Sequence, residues 1–333
     1  MIRDRRRLSG RLGAHPERRV LAATLRDALR GAAAPLTPRA RAARRAVVLP
    51  PVVNMYARPS TAAPVVSQAT LGTRVVVLRR RSGWALSESP DRYRGWVRAA
   101  ALRHDLRAAP LLEVASLFAN IYAARDVTAR APIAVLPILA RVEMAGVRQD
   151  RDAERAWLRV RLPDGRRGWA QRADMRAADG EAAAAGAAAD GAAADGAAAD
   201  GARRAGRAAA IAATALRFVG LPYLWGGTTP FGLDCSGFVQ LAHRVHGVLL
   251  PRDADLQFGD RRLRPVPRPR LRAGDLVFFG PRAGAITHVG IALGPRAFVN
   301  ATTHGVPVVR IDRLDDAWWR GLYRGARRLP PRG

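Results

Sequence analysis

Apolar and polar positions divide this chain into two unlike halves. In the N-terminal half, short β-prone runs such as Arg74–Leu78 and Trp157–Leu162 are separated by turn chemistry of the Pro163-Asp164-Gly165 kind. This half repeats itself. Asn54-Met-Tyr56-Ala, Gly83-Trp84 and Gly95-Trp96-Val97 are answered by Asn120-Ile-Tyr122-Ala, Ala156-Trp157-Leu158 and Gly168-Trp169-Ala170, with the two Trp twelve positions apart each time. Short strands with tight turns predict two similar all-β modules. In the C-terminal half the period changes. Ala208–Val219 has helical character and ends at Gly220 and Pro222; Ser236–His246 places Phe238, Val239, Leu241, Ala242 and Val245 at helical spacing and closes on Gly247. Four β-prone runs follow, Asp275–Phe279, His288–Leu293, Ala297–Asn300 and Val306–Ile311. Helices followed by an antiparallel sheet predict an α+β domain.

Between the halves, Ala runs are broken by Asp190-Gly191, Asp195-Gly196 and Asp200-Gly201. Ala favours helix, but each Gly costs about 1 kcal/mol and no apolar stripe is available for burial, so the segment reads as a flexible linker. The expected organisation is an extension at 1–45, part helical and part irregular, β modules at 46–106 and 107–178, a low-complexity linker at 179–206, and the α+β domain at 207–333. A length of 333 residues suits several domains, each with its own core.

Composition changes this picture little. Hydrophobic residues make up 49% of the chain, which excludes a wholly disordered protein, and a single Cys excludes an internal disulfide framework or a multi-cysteine metal site. The formal net charge is +29 and comes entirely from Arg, since there is no Lys. Such a charge would attract nucleic acid or anionic surfaces. The Arg residues are scattered, however, and no basic stretch is interleaved with aromatics, so the charge reads as compositional bias and no nucleic-acid partner is expected. The Arg-rich N-terminus resembles the first region of a signal peptide, but its best apolar run, Val20–Leu25, stops at Arg26-Asp27, short of the roughly 7–15 residues required. No segment nears the roughly 18 apolar residues of a membrane span. The expectation is a cytoplasmic protein without integral membrane contact, or a secreted or periplasmic one if translation starts upstream.

Chemistry concentrates around Cys235, which opens a predicted helix after Asp234 and before Ser236-Gly237. Unpaired N–H groups and the helix dipole favour a thiolate there. A thiolate nucleophile needs a proton partner, and the chain has six His. His15 and His104 belong to the N-terminal half, while His243 and His246 lie two to three turns along the helix of Cys235. His288, opening a strand, is the candidate base. A third group should orient the imidazole. Asn300, twelve residues later and past the Gly294–Arg296 turn, stands beside His288 in a predicted hairpin; His304, in a less rigid turn, is the rival. The competing reading of Cys235 as a core cysteine is outweighed by the His at suitable spacing.

Four motifs in order, Leu221-Pro-Tyr-Leu-Trp-Gly-Gly227, Leu233-Asp-Cys-Ser-Gly-Phe-Val239, Ala273-Gly-Asp-Leu-Val-Phe-Phe279 and His288-Val-Gly-Ile291, together resemble the NlpC-type papain-like cysteine peptidases of bacterial cell walls. The Trp and Gly-Trp landmarks of the N-terminal half resemble bacterial SH3-like domains. The resemblance implies a multidomain α+β protein, two small SH3-like β-barrels followed by a papain-like α+β catalytic domain. It implies Cys235 as nucleophile and His288 as base, with Asn300 at a position where the family usually has a second His. It also implies Tyr223 as an oxyanion-stabilising hydroxyl.

Two SH3-like modules before such a domain look like the γ-D-glutamyl-L-diamino-acid endopeptidases. That subgroup implies substrate contacts from Asp234, Ser236, Arg252 and Asp253, and from an acidic residue and a Tyr of the first β module, for which Glu88, Tyr93 and Tyr122 are candidates. The expected activity is hydrolysis of the γ-D-glutamyl–diamino-acid bond in wall-derived peptides with a free N-terminal L-Ala, in murein peptide recycling, without a cofactor. The alternatives are an exported hydrolase of intact peptidoglycan and a non-catalytic wall-binding protein.

Overall fold

The computed structural model describes residues 26, 29, 36–104, 111–145, 156–178 and 197–329; residues 1–25 of the expected extension and 179–196 of the expected linker lie outside them. The described chain is a multidomain α+β protein that divides into two compact units. One holds the β-rich first half together with Thr228–Phe231; the other holds the rest from Ala197 onward.

In the first unit, helix α1 (Pro38–Ala43) starts where the Thr37 hydroxyl accepts from the Ala40 N–H, with Pro38 in the first turn, where a missing N–H costs nothing. Seven strands follow: β1 Arg45–Val48, β2 Val52–Tyr56, β3 Val65–Thr70, β4 Arg74–Arg81, β5 Trp84–Glu88, β6 Arg94–Arg98 and β7 Leu102–His104. They form one antiparallel sheet in the order β3-β2-β6-β5-β4-β1-β7. A second set, β8 Leu111–Val114, β9 Phe118–Tyr122, β10 Ala134–Pro137, β11 Arg141–Met144, β12 Trp157–Arg161, β13 Arg167–Gln171 and β14 Met175–Ala177, has the corresponding order β10-β9-β13-β12-β11-β8-β14.

The repeated landmarks occupy equivalent places. Tyr56 meets Trp84 edge-on at 5.6 Å, and Tyr122 meets Trp157 edge-on at 5.8 Å. Pairing of Trp84 with Arg98 on the neighbouring strand is matched by Trp157 with Gln171. The modules are also joined. Leu71, fully buried in the β3–β4 turn, belongs to the apolar cluster formed by Leu112, Ile121, Leu136 and Val160 of the second module, and its carbonyl accepts from Arg141 N–H at 2.9 Å. A Cβ on Gly72 would lie 2.1 Å from the Arg141 carbonyl oxygen, so only Gly allows this approach.

The second unit opens with helix α2 (Ala197–Leu216), which corrects the expected linker at its C-terminal end: residues 197–206 are helical. The Ala residues and the anchoring of the later turns, where Ile211, Ala212 and Ala215 are buried, outweigh the cost of Gly201 and Gly206. Helix α3 (Cys235–Arg244) and the short α4 (Ala254–Phe258) follow, then strands β15 Arg264–Val266, β16 Leu276–Phe279, β17 His288–Ala292, β18 Ala297–Thr302 and β19 Val308–Arg313, helix α5 (Ala317–Leu322) and strand β20 Tyr323–Arg328. The antiparallel sheet runs β15-β20-β16-β17-β18-β19. The expected strands therefore exist, with small shifts at their ends. Asp275 of the Ala-Gly-Asp motif closes the sheet, accepting from Arg328 through both carboxylate oxygens at 2.7 Å.

Buried Val277, Phe279, Phe298, Leu314, Trp319 and Ala326 form an apolar cluster in this unit. Each large side chain so buried contributes about 1.5–3 kcal/mol over exposure. Helix α3 packs on α2 and on β17 and β18, the strands that carry His288 and Asn300.

Candidate active site

Cys235 is the first residue of α3, and its position is set by the residue before it. Asp234 caps the helix by accepting from the Gly237 N–H at 2.7 Å; its other carboxylate oxygen accepts from the Gly226 N–H at 3.0 Å. The Gly226-Gly227 segment is thereby tied to the helix start, and the Gly227 carbonyl accepts from the Asp234 N–H. A Cβ on Gly237 would sit 2.1 Å from that carbonyl oxygen, which accounts for Gly in the Asp-Cys-Ser-Gly run. Cys235 is 7% exposed in the first turn, where backbone N–H groups lack intrahelical acceptors. Its own N–H and the dipole are suited to stabilise an oxyanion formed by attack of its sulfur on a carbonyl.

His288 opens β17 and is 6% exposed. Its Nε2 lies 2.8 Å from Oδ1 of the fully buried Asn300 on the adjacent strand β18. The amide of Asn300 is oriented by its other end, where Nδ2 donates to the Arg310 carbonyl at 3.4 Å and to Asp312 Oδ2 at 3.0 Å. Because Nδ2 faces two acceptors, Oδ1 faces the imidazole, and Nε2 must carry the proton. Nδ1 is then the ring nitrogen able to take a thiol proton and later deliver it to a leaving amine.

The indole of Trp319 on α5 stacks on the His288 ring at 5.1 Å and 27°, and Phe279 lies tilted at 5.7 Å. His304, the rival orienter, stacks on Trp318 at 4.6 Å and meets Trp319 edge-on. His243 and His246 bond to the Val239 carbonyl and the Thr214 hydroxyl respectively.

The remaining sequence candidates divide. Tyr223 is half-buried in a segment bridged to Leu233, two residues before Cys235, and Asp253 is half-buried at the start of α4. The expectation that Arg252 offers its fork to a substrate carboxylate is corrected. Arg252 is 2% exposed, with Nη2 on Asp234 Oδ2 at 2.5 Å and Nη1 on Asp234 Oδ1 at 3.0 Å and on Ser236 Oγ at 2.9 Å. Asp234, Ser236 and Arg252 thus form an internal brace under the helix start, because a cap carboxylate buried this deeply requires a cation.

Glu88 is also paired internally. It is 3% exposed and held by Arg41 at 2.7 Å, Arg94 at 2.9 Å and Arg92 at 3.2 Å. Burial would raise its carboxyl, but the bonds from these guanidinium groups, first Arg41 and Arg94, bring it below the usual range and keep it ionised within its own module. Tyr93 is buried in the first module, and the Tyr122 hydroxyl accepts from Asn120 Nδ2 at 3.1 Å in the second.

Sequence reasoning missed Trp319 and Asp312. Asp316, whose side chain accepts from the Trp318 N–H, was a helix-start signal for Trp319. Arg310-x-Asp312 was a same-face strand pair opposite Asn300.

Comparison with known proteins is consistent with this geometry. Residues 220–328 match the NlpC/P60 family, and residues 55–102 match the bacterial dipeptidyl-peptidase Sh3 domain. A γ-D-glutamyl-L-lysine dipeptidyl-peptidase of Bacillus cereus is 36% identical over 120 residues, 35% of this chain and 35% of that protein. The murein DD-endopeptidase MepH of Escherichia coli is 36% identical over 117 residues, 34% of this chain and 43% of that protein. The matches thus span well under half the length of these relatives. A solved NlpC/P60 family protein from Bacillus cereus shares the fold with a TM-score of 0.66 at 22% identity, over 86% of this chain and all of that one.

Proposed function

We propose that the chain, whose residues 220–328 match the NlpC/P60 family, is a cysteine peptidase hydrolysing the γ-D-glutamyl–diamino-acid amide bond of peptidoglycan-derived peptides. The observation that carries this over other wall-cutting activities is the pairing of the peptidase domain with a module matching the bacterial dipeptidyl-peptidase Sh3 domain. A relative with a comparable match, the γ-D-glutamyl-L-lysine dipeptidyl-peptidase, supports the same bond type.

In the reaction, His288 Nδ1 takes the thiol proton and the sulfur of Cys235 attacks the amide carbonyl. The oxyanion is met by the Cys235 N–H and the Tyr223 hydroxyl. The imidazolium returns its proton to the departing amine, and water then hydrolyses the thioester with His288 as base. Asn300 holds the ring throughout by accepting from Nε2–H. The preferred substrate carries a free N-terminal L-Ala, whose ammonium is read by acidic groups such as Asp253, and the site of action is the cytoplasm, on released peptides.

A second reading, hydrolysis of intact peptidoglycan, is favoured by the comparable match to a murein DD-endopeptidase. Mass spectrometry of L-Ala-γ-D-Glu-diaminopimelate, its N-acetylated form and intact sacculi, each with a Cys235→Ala control, separates the two. Cleavage of the free-amine peptide alone supports recycling. Equal cleavage of both peptides, with release from sacculi, supports the wall hydrolase, and no cleavage of any substrate overturns both.

A further inference from the structure

The Cys–His–Asn constellation continues into the neighbouring strand. Strand β19 pairs antiparallel with β18, with Arg310 directly opposite Asn300 and Asp312 two residues on, opposite Phe298. Arg310 and Asp312 share a face with Asn300, and the diagonal spacing brings the Asp312 carboxylate under the end of the Asn300 amide. Asp312 Oδ2 accepts from Asn300 Nδ2 at 3.0 Å and from Arg310 Nε at 3.0 Å, and Oδ1 pairs with Arg310 Nη2 at 2.9 Å. Its side chain is 13% exposed.

An amide has two nearly isosteric ends, and nothing in the Asn300–His288 contact alone decides which end faces the ring. If the amide were reversed, Oδ1 would face the Asp312 carboxylate and the Arg310 carbonyl, placing three acceptors together, while Nδ2 would face His288. The imidazole would then have to accept at Nε2 and carry its proton on Nδ1, the nitrogen needed as base. A second His, usual at the position of Asn300, would bind the ring without an amide end to choose.

We propose that Asp312 is a positioning residue for the thiol–imidazole pair: by accepting from Asn300 Nδ2 it fixes the amide orientation and so selects the His288 tautomer protonated at Nε2. Arg310 keeps the carboxylate in place through both of its oxygens. The inference rests on the peptidase reading of Cys235 and His288, and its test is chosen to separate the two.

Because Cys235 is the only cysteine in the chain, alkylation by iodoacetamide reports its thiolate fraction without any peptide substrate. Wild-type protein should alkylate rapidly at pH 6, whereas Asp312→Ala and the isosteric Asp312→Asn should be slower by roughly tenfold or more, the factor lost with a hydrogen bond to a charged group. On the peptide that wild type cleaves, kcat should fall by a similar factor while KM stays within about twofold, because Asp312 acts through Asn300 and not on substrate. In an Asn300→Ala background, Asp312→Ala should add no further loss.

Slow alkylation of wild type at pH 6 overturns the peptidase reading beneath the proposal. Rapid alkylation of wild type and of both folded Asp312 variants overturns the proposal alone. An equal loss from Asp312→Ala with and without Asn300 also overturns it, since that is the mark of a purely structural role. Far-UV circular dichroism identifies any variant that has not folded, and the Asp312→Asn protein, with unchanged volume, carries the test if the Ala variant fails.

Discussion

Replacing Arg252 by Met would leave the Asp234 carboxylate buried at the start of α3 without its cation. Among the hydrogen bonds lost, two end on Asp234, at 2.5 and 3.0 Å, and one on Ser236 Oγ at 2.9 Å. Breaking a buried ion pair from one side costs about 3–5 kcal/mol. Asp234 would keep the N–H groups of Gly226 and Gly237 and the Ser236 hydroxyl, which places the loss near the lower figure, about 3 kcal/mol. At a urea slope near 2 kcal/mol/M this moves the unfolding midpoint down by roughly 1.5 M. The revealing comparison is Asp234→Asn/Arg252→Met. Asn still caps the helix through its one oxygen but turns its NH2 toward the Gly226 N–H, so removal of the stranded charge should regain about 1 kcal/mol over Arg252→Met alone. Urea unfolding followed by tryptophan fluorescence and circular dichroism measures both. An unfolding free energy for Arg252→Met within about 0.5 kcal/mol of wild type, with KM raised instead, would refute the brace and return Arg252 to the substrate. So would a double variant less stable than the single one.

Trp319→Leu removes the ring stacked on His288; the loss of an aromatic contact beside a developing imidazolium should lower kcat by roughly three- to tenfold with KM little changed, read by steady-state kinetics on the cleaved peptide. Gly237→Ala puts a methyl 2.1 Å from the Gly227 carbonyl oxygen and should destabilise the second unit by about 1–3 kcal/mol, seen as a lower melting temperature; an unchanged melt would show that the Gly226-Gly227 segment can give way. His243, buried against the Val239 carbonyl, is pushed down by that burial to about 4 from the ordinary 6.5. The unfolded chain therefore binds a proton that the folded one does not, so the stability from neutral His243 is complete above pH 6.5 and is lost as pH falls toward 4; His243→Leu should flatten the urea midpoint over that window, and an unflattened curve would assign the acid sensitivity to other groups.

How much of this was legible in the sequence depended on how local the determinant was. Cys235 and its cap lie in one run of residues, and His288 and Asn300 are joined by a short hairpin, so spacing alone brought them together. The Tyr56–Trp84 and Tyr122–Trp157 pairs were visible as a repeat because the same packing is built twice. Arg252 was misread because its type suits substrate recognition, whereas a side chain's partners depend on burial, and here Asp234 satisfies it first. Trp319 and Asp312 were missed because each reaches the site from an element with a weak signature, a six-residue helix and a strand read mainly for its apolar positions. The helical start at Ala197 escaped because glycine costs were counted locally, whereas the helix is anchored further on, at Ile211, Ala212 and Ala215.

The insertion of Leu71 into the core of the second β module bears on how this architecture can be inherited and cut. A duplicated module that keeps its own core can be lost, copied or exchanged singly. Here Leu71 fills space lined by Leu112, Ile121 and Val160, and Gly72 lies too close to Arg141 to accept any other residue. Deleting either copy would leave the other with a cavity or an uncovered apolar side chain. The two copies therefore share one core, and separating residues 45–104 from 111–177 should destabilise the second module by about 2–5 kcal/mol, the cost of a vacated leucine site.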